Sequence, residues 1–258
     1  MAYILRSNQA RKGSDAASLR KWALIFLTAG IIGRAILRNG MLGLDSLNGA
    51  ELMAVLDKDG AMTVAAVAIL CGVLETCAVP LFAFFLVEGF LRTSSFEKYL
   101  LRVAGVAIVS ELPYNFAMSG KLLDLGSRNP AFGLVIALVM LFFFGRYGEK
   151  KLMHTLMKVM IFTAAFLWCL MLHIDQGICI VVFVGALWLI REKSNLRSLT
   201  AFAGAMLCTL FDFFYMGACL SCIMLHRYNE ERGEQNEILN YAAYPVLLLV
   251  FGIAAKFL

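Results

Sequence analysis

The chain predicts an all-α integral-membrane protein, a single bundle of about eight transmembrane helices, and three observations carry that prediction. Of 258 residues, 61% are hydrophobic and 16% charged, and the mean hydropathy is +0.78, beyond what a soluble domain shows. Apolar runs of membrane length follow one another along the whole chain. Basic residues concentrate in alternate loops, as a multi-pass topology requires.

A spanning helix needs about 20 apolar residues, and the candidate spans are 22–38, 62–91, 97–118, 130–147, 153–172, 177–191, 198–224 and 240–258. The sixth is short. The second is long and contains Glu75 and Pro80; a proline removes a backbone donor and disturbs the preceding turn, so a kinked or broken helix is expected there. A split at Pro80 would add a segment and reverse everything after it.

Loop charges set the orientation. Arg6, Arg11, Lys12, Arg20 and Lys21 precede the first span, which puts the basic segment 1–21 in the cytoplasm. Arg92 and Lys98, then Arg146, Lys150 and Lys151, then Arg191, Lys193 and Arg197 follow the even-numbered spans. The loop after the first span carries Asp45, Glu51, Asp57 and Asp59. Eight spans with both termini cytoplasmic satisfy every loop, and no repeat or linker divides residues 1–258. No cleavage site follows the first apolar run, so a removable signal peptide is not expected.

The net charge of +5 tracks topology rather than nucleic acid, because no basic stripe with interleaved aromatics occurs. Seven cysteines lie mostly within apolar runs at irregular spacing. Cys219 and Cys222 form a CxxC without a second pair, which reads as helix packing by free thiols.

Chemistry is expected where charge enters apolar runs. A carboxylate at bilayer depth costs about 2.5–3.5 kcal/mol and persists mainly where it meets other polar groups. Glu88 and Glu111 lie inside or at the edge of two such runs, with Arg92, Lys98 and Arg102 between them. Glu88 is followed by Gly89, which allows close approach of another backbone; it reads either as a reacting acid or as an interfacial carboxylate paired with Arg92 at i+4. Glu111 with Pro113, Tyr114 and Asn115 reads as a substrate contact or as support for a proline kink. Asp212, in CTLFDFFYMG, falls near the middle of the seventh span, where a lone acid must pair or be protonated; a polar cluster with Glu111 or Arg102 would satisfy it. His154, His173 and His226 fall near helix ends. No HxH or HxxxH spacing marks a metal site, and none is expected.

The string VPLFAFFLVEGFLRT, then EKYLLR and SELPYN, resembles the TraX family of bacterial membrane proteins. His173-Ile-Asp175-Gln-Gly177, the stretch from Arg227-Tyr228-Asn229 to Gly233, and Asn240-Tyr241-Ala-Ala-Tyr244-Pro245 follow in the family's order. The resemblance covers about residues 21–250. It implies a multi-pass protein of the bacterial cytoplasmic membrane, similar to other integral-membrane acyltransferases, that moves an acetyl group from acetyl-CoA to an amine or hydroxyl. The founding activity is acetylation of the N-terminus of conjugative pilin, which makes a pilin-like or other hydrophobic peptide the expected partner besides lipid.

On that reading Glu88 and Asp212 are the candidate catalytic residues. Arg92, Lys98 and Arg102 suit the phosphates of the donor, although positive-inside topology alone also places basic residues there. Glu111, Tyr114, Asn115 and Tyr244 are the further substrate-binding candidates. The chain departs from the family at the Asp-His pair of the first span, which falls on Gly30 and Ile31, at a His after Tyr-Pro, which falls on Leu247, and at an Arg that falls on Thr76. A second reading follows from those losses: a non-catalytic homologue that holds a lipid, a hydrophobic peptide or a membrane partner in the same polar cleft. A transporter is a third, weaker fit, because no inverted repeat is recognisable.

Overall fold

The structure, a computed structural model, describes residues 13–44, 47, 49–124, 126–147, 152–234 and 237–258. Arg6, Arg11, Lys12, Asp45, Lys150 and Lys151, used above for topology, lie outside the described residues. Helix α1 (Ala16–Ile31) runs directly into a π-helical stretch, Ile32–Met41. Then come α2 (Gly49–Leu56), α3 (Ala61–Thr76), α4 (Ala78–Arg92), α5 (Phe96–Ser119), α6 (Ala131–Phe144), α7 (Leu152–Met171) and α8 (Gly177–Leu189). After α9 (Arg197–Cys208) a 3-10 segment, Phe213–Ala218, leads into α10 (Cys219–His226), and α11 (Glu237–Ala255) ends the fold. No strand occurs among the described residues.

Three stretches are long and apolar enough to cross a membrane: Ala16–Met41, Ala61–Arg92 and Leu152–Met171. Shorter apolar helices cover Ala131–Phe144, Gly177–Leu189, Phe213–His226 and Asn240–Ala255. Helix α7 leaves Val159, Met160, Trp168 and Met171 exposed, a surface suited to lipid tails rather than to water. Inside, Leu81, Phe84, Leu138, Leu141, Phe183 and Val184 pack α4, α6 and α8 together. A second cluster of Ile31, Ala35, Tyr114, Ala117 and Leu248 joins α1 and its π stretch to α5 and α11. Small residues let the backbones meet: a Cβ on Gly133 of α6 would stand 3.1 Å from the Gly177 Cα that opens α8.

The expected break in the second apolar run lies at Cys77. Its N–H bonds the Leu74 carbonyl at 3.0 Å, a three-residue spacing that tightens the turn. Pro80 is the third residue of α4, where a backbone N–H has no helical partner to lose. The hydroxyl of Thr76 and the thiol of Cys77 donate to the carbonyls of Phe214 and Gly217, each at 3.1 Å. The 3-10 segment is thereby fixed on the end of α3.

The predicted seventh run, 198–224, folds as two helical pieces with a turn between them, and the two described ends of the chain lie at opposite ends of the bundle. One end of the bundle is marked by Phe90, which packs on Phe96 and Trp188 with ring centroids 6.0 and 5.5 Å apart. At the other end Asn39 donates to the Met118 carbonyl at 2.6 Å, and the Lys256 ammonium lies 4.4 Å from the Phe116 ring centroid. Arg197, which opens α9, stacks on Phe84 and Tyr228 at 4.9 and 5.2 Å, so residues 197–228 leave the first end and return to it. The reversal falls at 209–212, where the Asp212 carboxylate caps the returning segment by accepting from the Phe214 N–H at 2.9 Å. Ser14, whose N–H reaches the Arg227 carbonyl at 2.8 Å, therefore lies at the first end. Ala255, against Gly40, lies at the second.

Candidate functional site

A cleft of about 460 Å3 runs along the inside of the bundle between α1, α4, α5 and α11, within the size range of small-molecule sites. Its mouth is basic: Arg20, Arg92, Arg102 and Arg232 line it, together with Glu88. Its shaft is apolar, with Leu24, Val79, Phe82, Leu86, Val103 and Val106. Its inner end is polar again, with Glu75, Gln176 and Tyr244. From Arg92 back to Glu75 is 17 residues, roughly 25 Å at helical rise.

At the mouth, Glu88 and Arg92 pair at 3.2 Å, and the Tyr228 hydroxyl donates to Glu88 Oε2 at 3.2 Å. Burial, with the Glu88 carboxylate beside it, pushes the Tyr228 hydroxyl up to about 12, so it stays a donor at neutral pH. Gly89 admits the Tyr99 hydroxyl rather than a backbone: a Cβ there would stand 2.4 Å from that oxygen. The Arg20 guanidinium lies 4.8 Å from the Phe85 ring centroid. Arg20 Nε and Asn240 Nδ2 are buried donors with no hydrogen-bond partner among the described residues, and both residues line the cleft. Such donors are costly to leave unmet and suit an anionic group.

The inner end is organised around Arg34, which the π-helical stretch presents, a form of backbone that recurs at functional sites. Its Nη2 and Nε hold the Glu75 carboxylate at 2.6 and 3.1 Å, and its Nη1 holds Asp175 Oδ2 at 2.5 Å. Gln176 adds a donor to Glu75 at 3.2 Å. The Tyr114 hydroxyl donates to Asp175 at 2.9 Å and lies 3.3 Å from Ser127 Oγ. The turn that carries Asp175 is built for the purpose. His173 and Gln176 both have positive φ, 51° and 56°, a cost accepted where a side chain must be aimed, and Arg128 pairs with the turn through its N–H to the His173 carbonyl at 2.9 Å.

Behind Tyr244 lies Asn129, fully buried. Its Oδ1 accepts from the Tyr244 hydroxyl at 2.8 Å and from the Ala131 N–H at 2.9 Å. Its Nδ2 donates to the Ala107 carbonyl at 3.2 Å, just before the turn that Pro113 interrupts. Glu111 accepts from the Asn129 N–H at 3.3 Å and lies 3.7 Å from Arg128.

The residues singled out in the sequence therefore divide. Glu88, Arg92, Arg102 and Tyr244 line the cleft. Tyr114 and Glu111 stand behind its inner end. Lys98 is exposed on the first turn of α5. Asn115 is buried, with its Oδ1 unpartnered among the described residues, and does not line the cleft. Asp212 is exposed at the reversal of the chain, away from Glu111 and Arg102. His173 and His226 are exposed, at opposite ends of the bundle, and His154 packs on Tyr147 at 5.8 Å. No group of three metal-ligating side chains occurs among the described residues.

Arg34, Glu75 and Asp175 form the most buried charge cluster of the inner end, and sequence reasoning passed over it. The signal was present: Arg34 and Glu75 are single charges in GIIGRAIL and CGVLETCAV. Gly30 shows why they meet. A Cβ on Gly30 would stand 2.4 Å from the Glu75 carboxylate, so the acid reaching in from α3 occupies the place of a side chain at residue 30.

Residues 49–255 match the family model described as TraX protein. The chain belongs to the TraX family. The match takes in Glu75, Glu88, Asn129, Asp175 and Tyr244, and leaves α1 outside it. No curated protein and no solved structure matches the chain.

Proposed function

We propose that this TraX-family protein is a membrane-embedded acyltransferase that moves an acetyl group from acetyl-CoA to an amine or hydroxyl, with a pilin-like or other hydrophobic peptide as acceptor. The observation that carries the reading is the polarity of the cleft: a basic mouth, an apolar shaft and a polar inner end in sequence. That profile suits a long molecule with phosphates at one end and a small reactive acyl group at the other. Arg92 and Arg102, with Arg20 and Asn240, would hold the phosphates; an arginine fork matches phosphate oxygens. The shaft would exclude water from the thioester. The mouth faces the cytoplasm on this reading, because Arg20, Lys21, Arg92, Lys98, Arg191 and Arg197 gather at that end, and the membrane is the bacterial inner membrane.

One observation favours a second reading. His154, His173 and His226 all stand outside the cleft, so imidazole base catalysis has no agent there, as a non-catalytic homologue would have it. The two readings separate in one experiment. Purified protein in lipid nanodiscs is given acetyl-CoA and a small primary amine, and free thiol and acetylated amine are measured. Turnover supports transfer. Tight binding of acetyl-CoA without turnover supports the non-catalytic homologue, and neither binding nor turnover removes the acyltransferase reading.

A further inference from the structure

Resting on the acyl-transfer reading, we infer that Glu75 is the catalytic residue of the cleft, with Arg34 and Asp175 as positioning residues. Glu75 is the carboxylate at the inner end of the cleft, and only 6% of its surface is exposed. Of the three charged residues of the cluster, Glu75 lines the cavity and Arg34 and Asp175 stand behind it. Three donors, two from Arg34 and one from Gln176, reach its oxygens, and a carboxylate has about four lone-pair sites. One acceptor site is left for a substrate. Arg34 also holds Asp175, so two carboxylates share one guanidinium and the cluster carries one more acid than base.

Glu88, the acid expected from the sequence, fits the mouth instead. Its partners are Arg92 and Tyr228, beside the groups that suit the donor's phosphates, whereas the acyl group lies at the far end of a long arm. The inner end is also where the backbone is arranged around one side chain: α3 stops one residue beyond Glu75, and Gly30 leaves room for its carboxylate.

The step balances without an oxidant or reductant. The nitrogen or oxygen of the acceptor attacks the thioester carbonyl carbon, and a C–N or C–O bond forms. The C–S bond breaks, with its electron pair leaving on sulfur. The proton lost by the acceptor passes to a Glu75 oxygen and from there to the thiolate, so the thiol and the acylated acceptor leave and Glu75 is ionised again.

The test uses the full chain in nanodiscs with acetyl-CoA and a small primary amine. General-base groups contribute about 10²–10⁴-fold, so Glu75→Gln is expected to lower kcat by at least about 100-fold while the affinity for acetyl-CoA, read by equilibrium binding, changes less than about threefold. Asp175→Asn and Arg34→Lys are expected to lower kcat with KM little changed and to shift the acid limb of the pH–rate profile, which a purely structural role would leave in place. If Glu75→Gln does not fold, the triple variant Glu75→Gln/Arg34→Gln/Asp175→Asn, which removes all three charges together and leaves none unpaired, is measured in its stead. A variant that binds the donor and retains more than about a tenth of the wild-type rate overturns the assignment of Glu75 and leaves the acyl-transfer reading standing. A wild type that neither binds nor cleaves acetyl-CoA overturns both.

Discussion

Gly30 and Glu75 share one volume: the Cβ that any other residue would place on α1 falls 2.4 Å from the carboxylate that α3 sends across. The contact is between a helix backbone and a side chain that Arg34 holds at two points, 2.6 and 3.1 Å, so the carboxylate is not free to swing aside.

Gly30→Ala is therefore expected to destabilise the protein although it adds a better helix former. Overpacking of this kind costs about 1–3 kcal/mol, against a gain of about 0.8–1.0 kcal/mol from replacing a helical glycine. The net loss is read by thermal unfolding in detergent or nanodiscs. An unchanged or raised Tm would show that the Glu75–Arg34 pair can shift without penalty.

Much of the fold was legible in the sequence, because the bilayer forces apolar runs to be helices. All eight predicted runs contain helix, and the break in the second was signalled by Pro80. What misled was Thr209–Asp212. The turn lies inside an apolar run, CTLFDFF, where hydropathy cannot distinguish a crossing from a reversal, and Asp212, expected near mid-span, caps the returning segment. The mouth of the cleft was legible for a local reason: Glu88, Arg92 and Arg102 are neighbours along the chain. The inner end was not, since Arg34, Glu75 and Asp175 are 41 and 141 residues apart as counted from Arg34, and only packing brings them together.

Asn129 is the keystone of the polar layer behind Tyr244. Asn129→Ala strands the Ala131 N–H and the Tyr244 hydroxyl and removes a second bond to the Ala107 carbonyl, and buried groups left unmet cost about 1–3 kcal/mol each, offset in part by rearrangement. Tyr244→Phe removes one bond and leaves Asn129 Oδ1 still bonded to Ala131, for a loss of about 0.5–1.5 kcal/mol. Unfolding measured on both variants should rank Asn129→Ala well below Tyr244→Phe. The reverse order would mean that Tyr244, not Asn129, anchors the layer.

Acid should act on the N-terminus of α1. Asp15 caps that helix, and hydrogen bonds from Ser18, its N–H at 2.8 Å among them, hold the carboxyl below its ordinary value. A depressed folded pKa gives stability that is fully present above the unfolded value, about 3.9, and that is lost as pH falls through the lower folded value. Asp15→Ala should therefore lower Tm at pH 6, by an amount corresponding to a typical N-cap loss of about 1 kcal/mol. The gap between variant and wild type should close as pH falls below the unfolded value and through the lower folded one. A gap that persists into strong acid would mean that the cap acts through packing rather than charge.

The reversal at 209–212 fixes the parity of the whole chain. Ser14, Glu88, Arg197 and Tyr228 meet at one end of the bundle, through the Ser14–Arg227 backbone bond at 2.8 Å, the Tyr228–Glu88 bond at 3.2 Å and the Arg197–Tyr228 stack at 5.2 Å. Helix α11 starts from that end and carries the chain to Ala255 beside Gly40 at the other. On the membrane placement proposed from its basic residues, the first end faces the cytoplasm. A reporter fused after Leu258 should then be active on the outer side, as alkaline phosphatase is, while reporters fused after Lys193 and after Glu234 should both report the cytoplasm. Had residues 197–226 crossed once, the last two fusions would disagree with each other. Cytoplasmic reporting from the C-terminal fusion, with disagreement between those two, would restore a single crossing by residues 197–226 and place the 209–212 turn inside a continuous span.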